Sequence, residues 1–158
     1  MNSILSKYKT LFILFAYLIA ATALYTSLTG NNPMPFLMGL FFITFSFFKV
    51  IHLSKFQDSF SQYDLLAKTM PHYARYYPFI EIVLGILFLC NWLPLLASII
   101  TIIILVSTNI GVLIALKKGQ IMECACLGVV FKLPLSRVTV FENTVMILMA
   151  VVQVWMLV

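Results

Sequence analysis

The stretch FIEIVLGILFLCNWLPLLASIITIIILVSTNIGVLIAL, residues 79–116, decides the architecture. It is almost continuously apolar. As one helix it would be about 57 Å long at 1.5 Å per residue, nearly twice the roughly 30 Å hydrocarbon core of a bilayer. The chain therefore has to turn back within it. Asn91, Trp92 and Pro94 supply the turn, because proline cannot continue the helix that precedes it. The spacing predicts one helix over 77–93 and another over 95–116.

Working outward, three more apolar runs fit bilayer spans, at 11–28, 36–53 and 138–158. Gly30-Asn31-Asn32-Pro33 forms a tight turn between the first two. Composition agrees: the 158 residues are 63% hydrophobic and 9% charged, against about a quarter charged in a soluble domain. The expected fold is all-α, a single transmembrane domain over 1–158 with five membrane helices. Three cysteines without secreted-type spacing make no disulfide framework. There is no phosphate-cradling glycine loop, no HExxH and no serine with a histidine partner.

The basic residues give an orientation. Lys7, Lys9, Lys49, Lys55, Lys68, Arg75, Lys117, Lys118, Lys132 and Arg137 all fall on one side of a five-span chain. Positive charge beside spans is retained in the cytoplasm, so the N-terminus and the loops 54–76 and 117–137 are expected inside and the C-terminus outside. The same distribution explains the net charge of +5 without nucleic acid as a partner. Lys7 and Lys9 before an apolar run, with Ala21-Thr22-Ala23 beyond, resemble a signal peptide. The run continues past Ala23, and a retained anchor is the expectation.

The first inner loop carries Phe56, Phe60, Tyr63, Ala67 and Met70 at helical spacing, with polar residues between them. That pattern predicts an amphipathic helix lying in the membrane interface. Tyr73, Tyr76 and Tyr77 read as an aromatic belt at the entry of the third span.

The second inner loop contains Glu123-Cys124-Ala125-Cys126-Leu127-Gly128. On a helix, side chains two residues apart diverge by about 200°, whereas in an extended or turned backbone they share a face. The Cα atoms then lie up to about 6.6 Å apart, near the limit for a disulfide, and a strained disulfide exchanges readily. The same geometry suits two thiolates on one soft metal ion such as Cu(I). Lys117, Lys118, Lys132 and Arg137 nearby favour the thiolate. Cys90, alone in an apolar run, reads as a small apolar side chain.

Several polar residues are expected near the inner surface: Lys49 and His52 in the second span, Glu81 in the third, Asn109 in the fourth, and Glu142 and Asn143 in the fifth. Ionisable groups within a membrane are expensive and usually paired. A Glu81–Lys49 or a Glu142–His52 pair would meet that cost. Asn109 reads as an interhelical hydrogen-bonding residue.

Phe56-x-x-x-Phe60-x-x-Tyr63-Asp64-Leu65-Leu66-Ala67, then Tyr77-Pro78-Phe79-Ile80-Glu81 with Gly85, then Cys124-Ala125-Cys126-Leu127-Gly128, resemble the methylamine-utilisation membrane protein family (MauE) and its DoxX relatives. The resemblance covers most of the chain from about residue 49 to 158. It implies a small redox-associated helical membrane protein of a bacterial inner membrane, linked to maturation of a disulfide-rich partner. The family's C-x-C-x-G falls on Cys124, Cys126 and Gly128, and its membrane glutamate on Glu81.

Three functions follow as expectations. The first is thiol–disulfide exchange or electron relay through Cys124 and Cys126, with Glu81 or His52 moving protons and a thioredoxin-like protein as partner. The second is soft-metal delivery, with Cys124 and Cys126 as ligands and a metallochaperone-like partner. The third is a non-catalytic membrane assembly partner. All three share the lipid bilayer as surroundings.

Overall fold

The structure is a computed structural model that describes residues 2–70, 72–118 and 137–158. Seven helices are present among these residues: α1 (Asn2–Thr29), α2 (Pro33–Ile51), α3 (Leu53–Tyr63), α4 (Leu65–Thr69), α5 (Tyr73–Leu89), α6 (Pro94–Lys117) and α7 (Arg137–Leu157). Four of them, α1, α2, α6 and α7, are long and apolar enough to cross a membrane. The protein is an all-helical integral membrane bundle.

The turns fall where local chemistry puts them. Gly30 closes α1 in the left-handed conformation at φ 68°, with its N–H donated to the Thr26 carbonyl. Asn32 caps α2 by accepting a hydrogen bond from the Met34 N–H at 3.0 Å, and Pro33 occupies the first helical position. Between α5 and α6, Asn91 and Leu93 both take φ 50°, and Pro94 opens the next helix.

The fifth expected span is α5. Its 17 residues stand at the short end of what crosses a bilayer. It runs antiparallel along α2, as Gly39 against Gly85 and, further along α2, Lys49 against Glu81 require. The two glycines let the backbones touch. A Cβ added to Gly39 would lie 2.8 Å from the Gly85 carbonyl oxygen, and one on Gly85 would lie 2.7 Å from Ile43 Cγ1. Close approach at small residues is how membrane helices pack when lipid offers no hydrophobic drive.

The single interfacial helix expected over the first inner loop is divided in two. Asp64 takes an extended backbone (ψ 135°) and its carboxylate accepts the Ala67 N–H at 2.9 Å, ending α3 and capping α4. The apolar face is also not laid on lipid. Phe56, Phe60, Tyr63 and Ala67 belong to the protein core, and only Met70 stays exposed. The aromatic belt is corrected likewise: Tyr77 is a core residue and Tyr73 packs against that core, while Tyr76 is exposed. Rings pack together where lipid was expected, with Phe60 and Tyr77 centroids 4.4 Å apart.

The α3–α4 joint docks on α6 at Gly111, where a Cβ would collide with the Tyr63 carbonyl oxygen. Helix α1 is peripheral: 11% of its Phe12–Thr29 window is buried, against 39% of α6. It meets α2 through Leu18 and Phe45.

Candidate functional site

The buried face of α2 repeats at helical spacing through Met38, Gly39, Phe42, Phe45, Ser46 and Lys49. Ser46 and Lys49 thus stand one turn apart on a stripe that faces α5. The matching stripe of α5 includes Tyr77, Glu81, Leu84, Gly85 and Phe88. Antiparallel packing brings Glu81 opposite both polar residues of α2.

The result is a buried ion pair. Lys49 Nζ lies 2.6 Å from Glu81 Oε1 and 2.5 Å from Oε2, and Ser46 Oγ donates to Oε2 at 2.9 Å. Lys49 and Glu81 are each only 4% exposed at the side chain. The ammonium also sits over aromatic faces, 4.9 Å from the Tyr77 centroid and 5.7 Å from that of Phe56. Lys49 is in the last turn of α2, where the helix dipole favours a cation. The Glu81–Lys49 alternative read from the sequence is therefore the one the fold adopts.

Around the pair lies a small cavity of about 20 Å³, with room for roughly one water molecule. Five helices wall it: α2 with Lys49, α3 with Phe56 and Tyr63, α5 with Tyr77 and Glu81, α6 with Thr108, and α7 with Thr139, Glu142 and Asn143. Glu142 thereby faces the same cavity as the ion pair. His52 does not line it. It joins α2 to α3, half-buried, and its Nδ1 makes no hydrogen bond among the described residues.

A third carboxyl group stands behind this cavity. Asp64 is fully buried, and its Oδ2 accepts a hydrogen bond from Thr108 Oγ1 at 2.8 Å. Burial pushes its carboxyl above the usual aspartate range. The Ala67 N–H, Thr108, the Leu66 N–H and the nearby Lys68 each pull it partly back. Asp64 was legible in the sequence only as a polar position, although an Asp before Leu-Leu-Ala is a helix-start signal. Ser46 is a further partner that the sequence did not mark. Its signal is its place one turn before Lys49. Asn109 does bridge helices, donating from Nδ2 to Thr144 Oγ1 of α7 at 3.1 Å.

Cys124 and Cys126, with most of the loop that carries them, lie outside the described residues. Cys90 caps the C-terminal end of α5 and is exposed, while Glu81 stands midway along that helix.

Fold and site together define a small α-helical integral membrane protein with a charged, enclosed pocket where five helices converge. The chain belongs to the MauE family: the family model of Methylamine utilisation protein MauE matches residues 8–156. The family is that of a membrane protein of methylamine utilisation. Neither a curated protein nor a solved structure matches the chain.

Proposed function

We propose that this protein is a redox-associated membrane protein whose Cys124 and Cys126 exchange thiol and disulfide states in support of a partner's maturation. The cysteine loop and the N-terminus face the cytoplasm, as the side bias of the ten Lys and Arg residues supports. Glu81 is the proton-handling group.

The observation that carries this reading is the pocket. An ion pair buried in an apolar bundle is a poor source of stability, since desolvation offsets the attraction and well-packed apolar residues do as well. Ionisable residues kept within membrane helices generally mark proton, ion or substrate chemistry. Glu81 is preferred to His52 because it lines the cavity and His52 does not.

The exchange balances without a bound cofactor. The Cys124 thiolate attacks one sulfur of a partner disulfide, forming a mixed disulfide and releasing a partner thiolate. Cys126 attacks in turn, closing the Cys124–Cys126 bond and releasing the second partner thiolate. The partner gains two electrons, and the two protons lost from the cysteines end on its thiols. A thioredoxin-like dithiol reverses the change and resets the pair.

Thiol trapping in intact cells, by acid quench and a mass-shifting maleimide, tests this. A reversible disulfide should appear in the unmodified protein and disappear in Cys124→Ser and in Cys126→Ser. A trapping pattern identical in all three sinks the exchange reading. Stoichiometric Cu(I) binding lost in the double serine variant, with no trapped disulfide, would assign the pair to metal delivery instead.

A further inference from the structure

We propose that a second cavity, at the end of α2 opposite Lys49, binds a methylated ammonium group such as that of choline. The proposal goes beyond the thiol chemistry above and does not depend on it.

This cavity lies where the α1–α2 turn meets the α5–α6 turn and measures about 190 Å³. An apolar cavity of about 150 Å³ takes benzene, so a trimethylammonium group, which has fewer non-hydrogen atoms, fits with room for its substituent. The polar part of the wall is the carboxamides of Asn31, Asn32 and Asn91, and three rings, Tyr25, Phe36 and Phe88, form most of the rest. No Lys, Arg, His, Asp or Glu occurs in 10–48 or 82–116, the segments that supply the lining. A ligand therefore meets neither a counter-ion nor a repelling charge.

Three features favour a weakly hydrated cation in that neutral setting. The first is the rings, whose faces attract cations, quaternary ammonium ions above all because little water has to be stripped from them. Tyr25 and Phe36 hold each other in place, nearly parallel with centroids 4.0 Å apart, and Phe88 is buried against Phe42. Asn31 Nδ2 donates to the Tyr25 hydroxyl oxygen at 3.4 Å, which leaves the Asn31 carboxamide oxygen for a ligand. The second is the pair of helix ends. Helix α1 stops at Thr29 and α5 at Leu89, both beside the cavity, and the last carbonyls of a helix carry partial negative charge. The third is what α2 withholds. It starts at the same place, yet offers an anion no N–H: Pro33 and Pro35 have none, and that of Met34 is bonded to Asn32 Oδ1. A primary ammonium or a metal ion, being strongly hydrated, would need a carboxylate to offset its lost water, and none lines the cavity among the described residues.

The test separates charge from shape. Choline is titrated into the full chain in dodecyl maltoside micelles and followed by saturation-transfer NMR, with empty micelles as baseline. It should bind saturably. Dimethylbutanol, in which carbon replaces the choline nitrogen, should bind roughly tenfold more weakly. Phe36→Leu, which keeps apolar bulk and removes one ring, should weaken choline about threefold, whereas Phe47→Leu, at an exposed ring of the same helix, should not. Absence of saturable choline binding, equal binding of the uncharged alcohol, or equal effects of the two leucine substitutions would overturn the proposal. Competition by short-chain phosphatidylcholine identifies the source of the group. Displacement well below the choline concentration assigns the site to a lipid headgroup, and displacement no stronger than by choline itself assigns it to a free ammonium ion.

Discussion

Lys49 carries the argument from chemistry to consequence. Its ammonium is held by Glu81 and two aromatic faces, and removing it leaves a carboxylate in an apolar interior. Lys49→Met should cost roughly 3–5 kcal/mol, the usual loss when one member of a buried pair is deleted. The double substitution Lys49→Met, Glu81→Leu should recover most of it, since two apolar side chains fill the space without stranded charge. Thermal unfolding in detergent, followed by circular dichroism, measures both. Asp64 gives a pH-dependent prediction. Its folded-state carboxyl binds a proton more tightly than the ordinary value of 3.8 implies, so between 3.8 and the raised value the folded state holds more protons than the unfolded one. Its contribution to stability is full below 3.8 and is lost as pH rises through the raised value. Asp64→Asn should flatten that part of the stability profile, and a profile unchanged by the substitution would contradict the assignment.

Helix pairing sets the next level. Helices α2 and α5 meet backbone to backbone at Gly39 and Gly85, and the α3–α4 joint meets α6 at Gly111. The three sites differ in what can yield. At Gly39 one obstacle is a Leu89 side chain, but another is the Gly85 backbone. At Gly111 all the nearest atoms are the backbone of Tyr63 and Asp64. Gly111→Ala should therefore force the joint away from α6, at about 1–3 kcal/mol, the typical cost of overpacking. It should also loosen the Asp64–Thr108 bond one turn away. Hydrogen exchange would show this as faster exchange of the Ala67 amide, which Asp64 caps, with little change in α1. Two of the turns were legible from sequence. Asn32-Pro33 and the Asn91–Pro94 segment mark boundaries through capping and proline geometry, which need only neighbouring residues. The break at Asp64 was missed because the apolar repeat runs straight through it from Phe56 to Met70.

For the molecule as a whole, the order of spans fixes which chemistry is reachable from which side. Cys90 lies at the end of α5 that pairs with the start of α2, while Lys49 lies in the last turn of α2 and meets Glu81 midway along α5. With the five-crossing orientation, a membrane-impermeant maleimide applied to intact cells should label Cys90 and spare Cys124. Inverted vesicles should give the reverse. Labelling of Cys124 from outside would overturn the orientation and with it the cytoplasmic placement of the thiol pair.

Hydropathy, capping residues and proline positions by themselves determined that this chain is a membrane bundle, that it turns at Gly30–Pro33 and at Asn91–Pro94, and which few polar residues its helices carry. Each of those depends on the local chain and on lipid, both of which the sequence specifies. Only the tertiary structure decided that Glu81 takes Lys49, 32 residues away, that Glu142 faces the same cavity, and that the aromatic face of α3 roofs it instead of resting on lipid. Membrane helices are apolar on nearly every side, so periodicity says little about which face meets a neighbour. That choice is made by close packing at Gly39, Gly85 and Gly111 and by the need of buried charge to find its counter-charge.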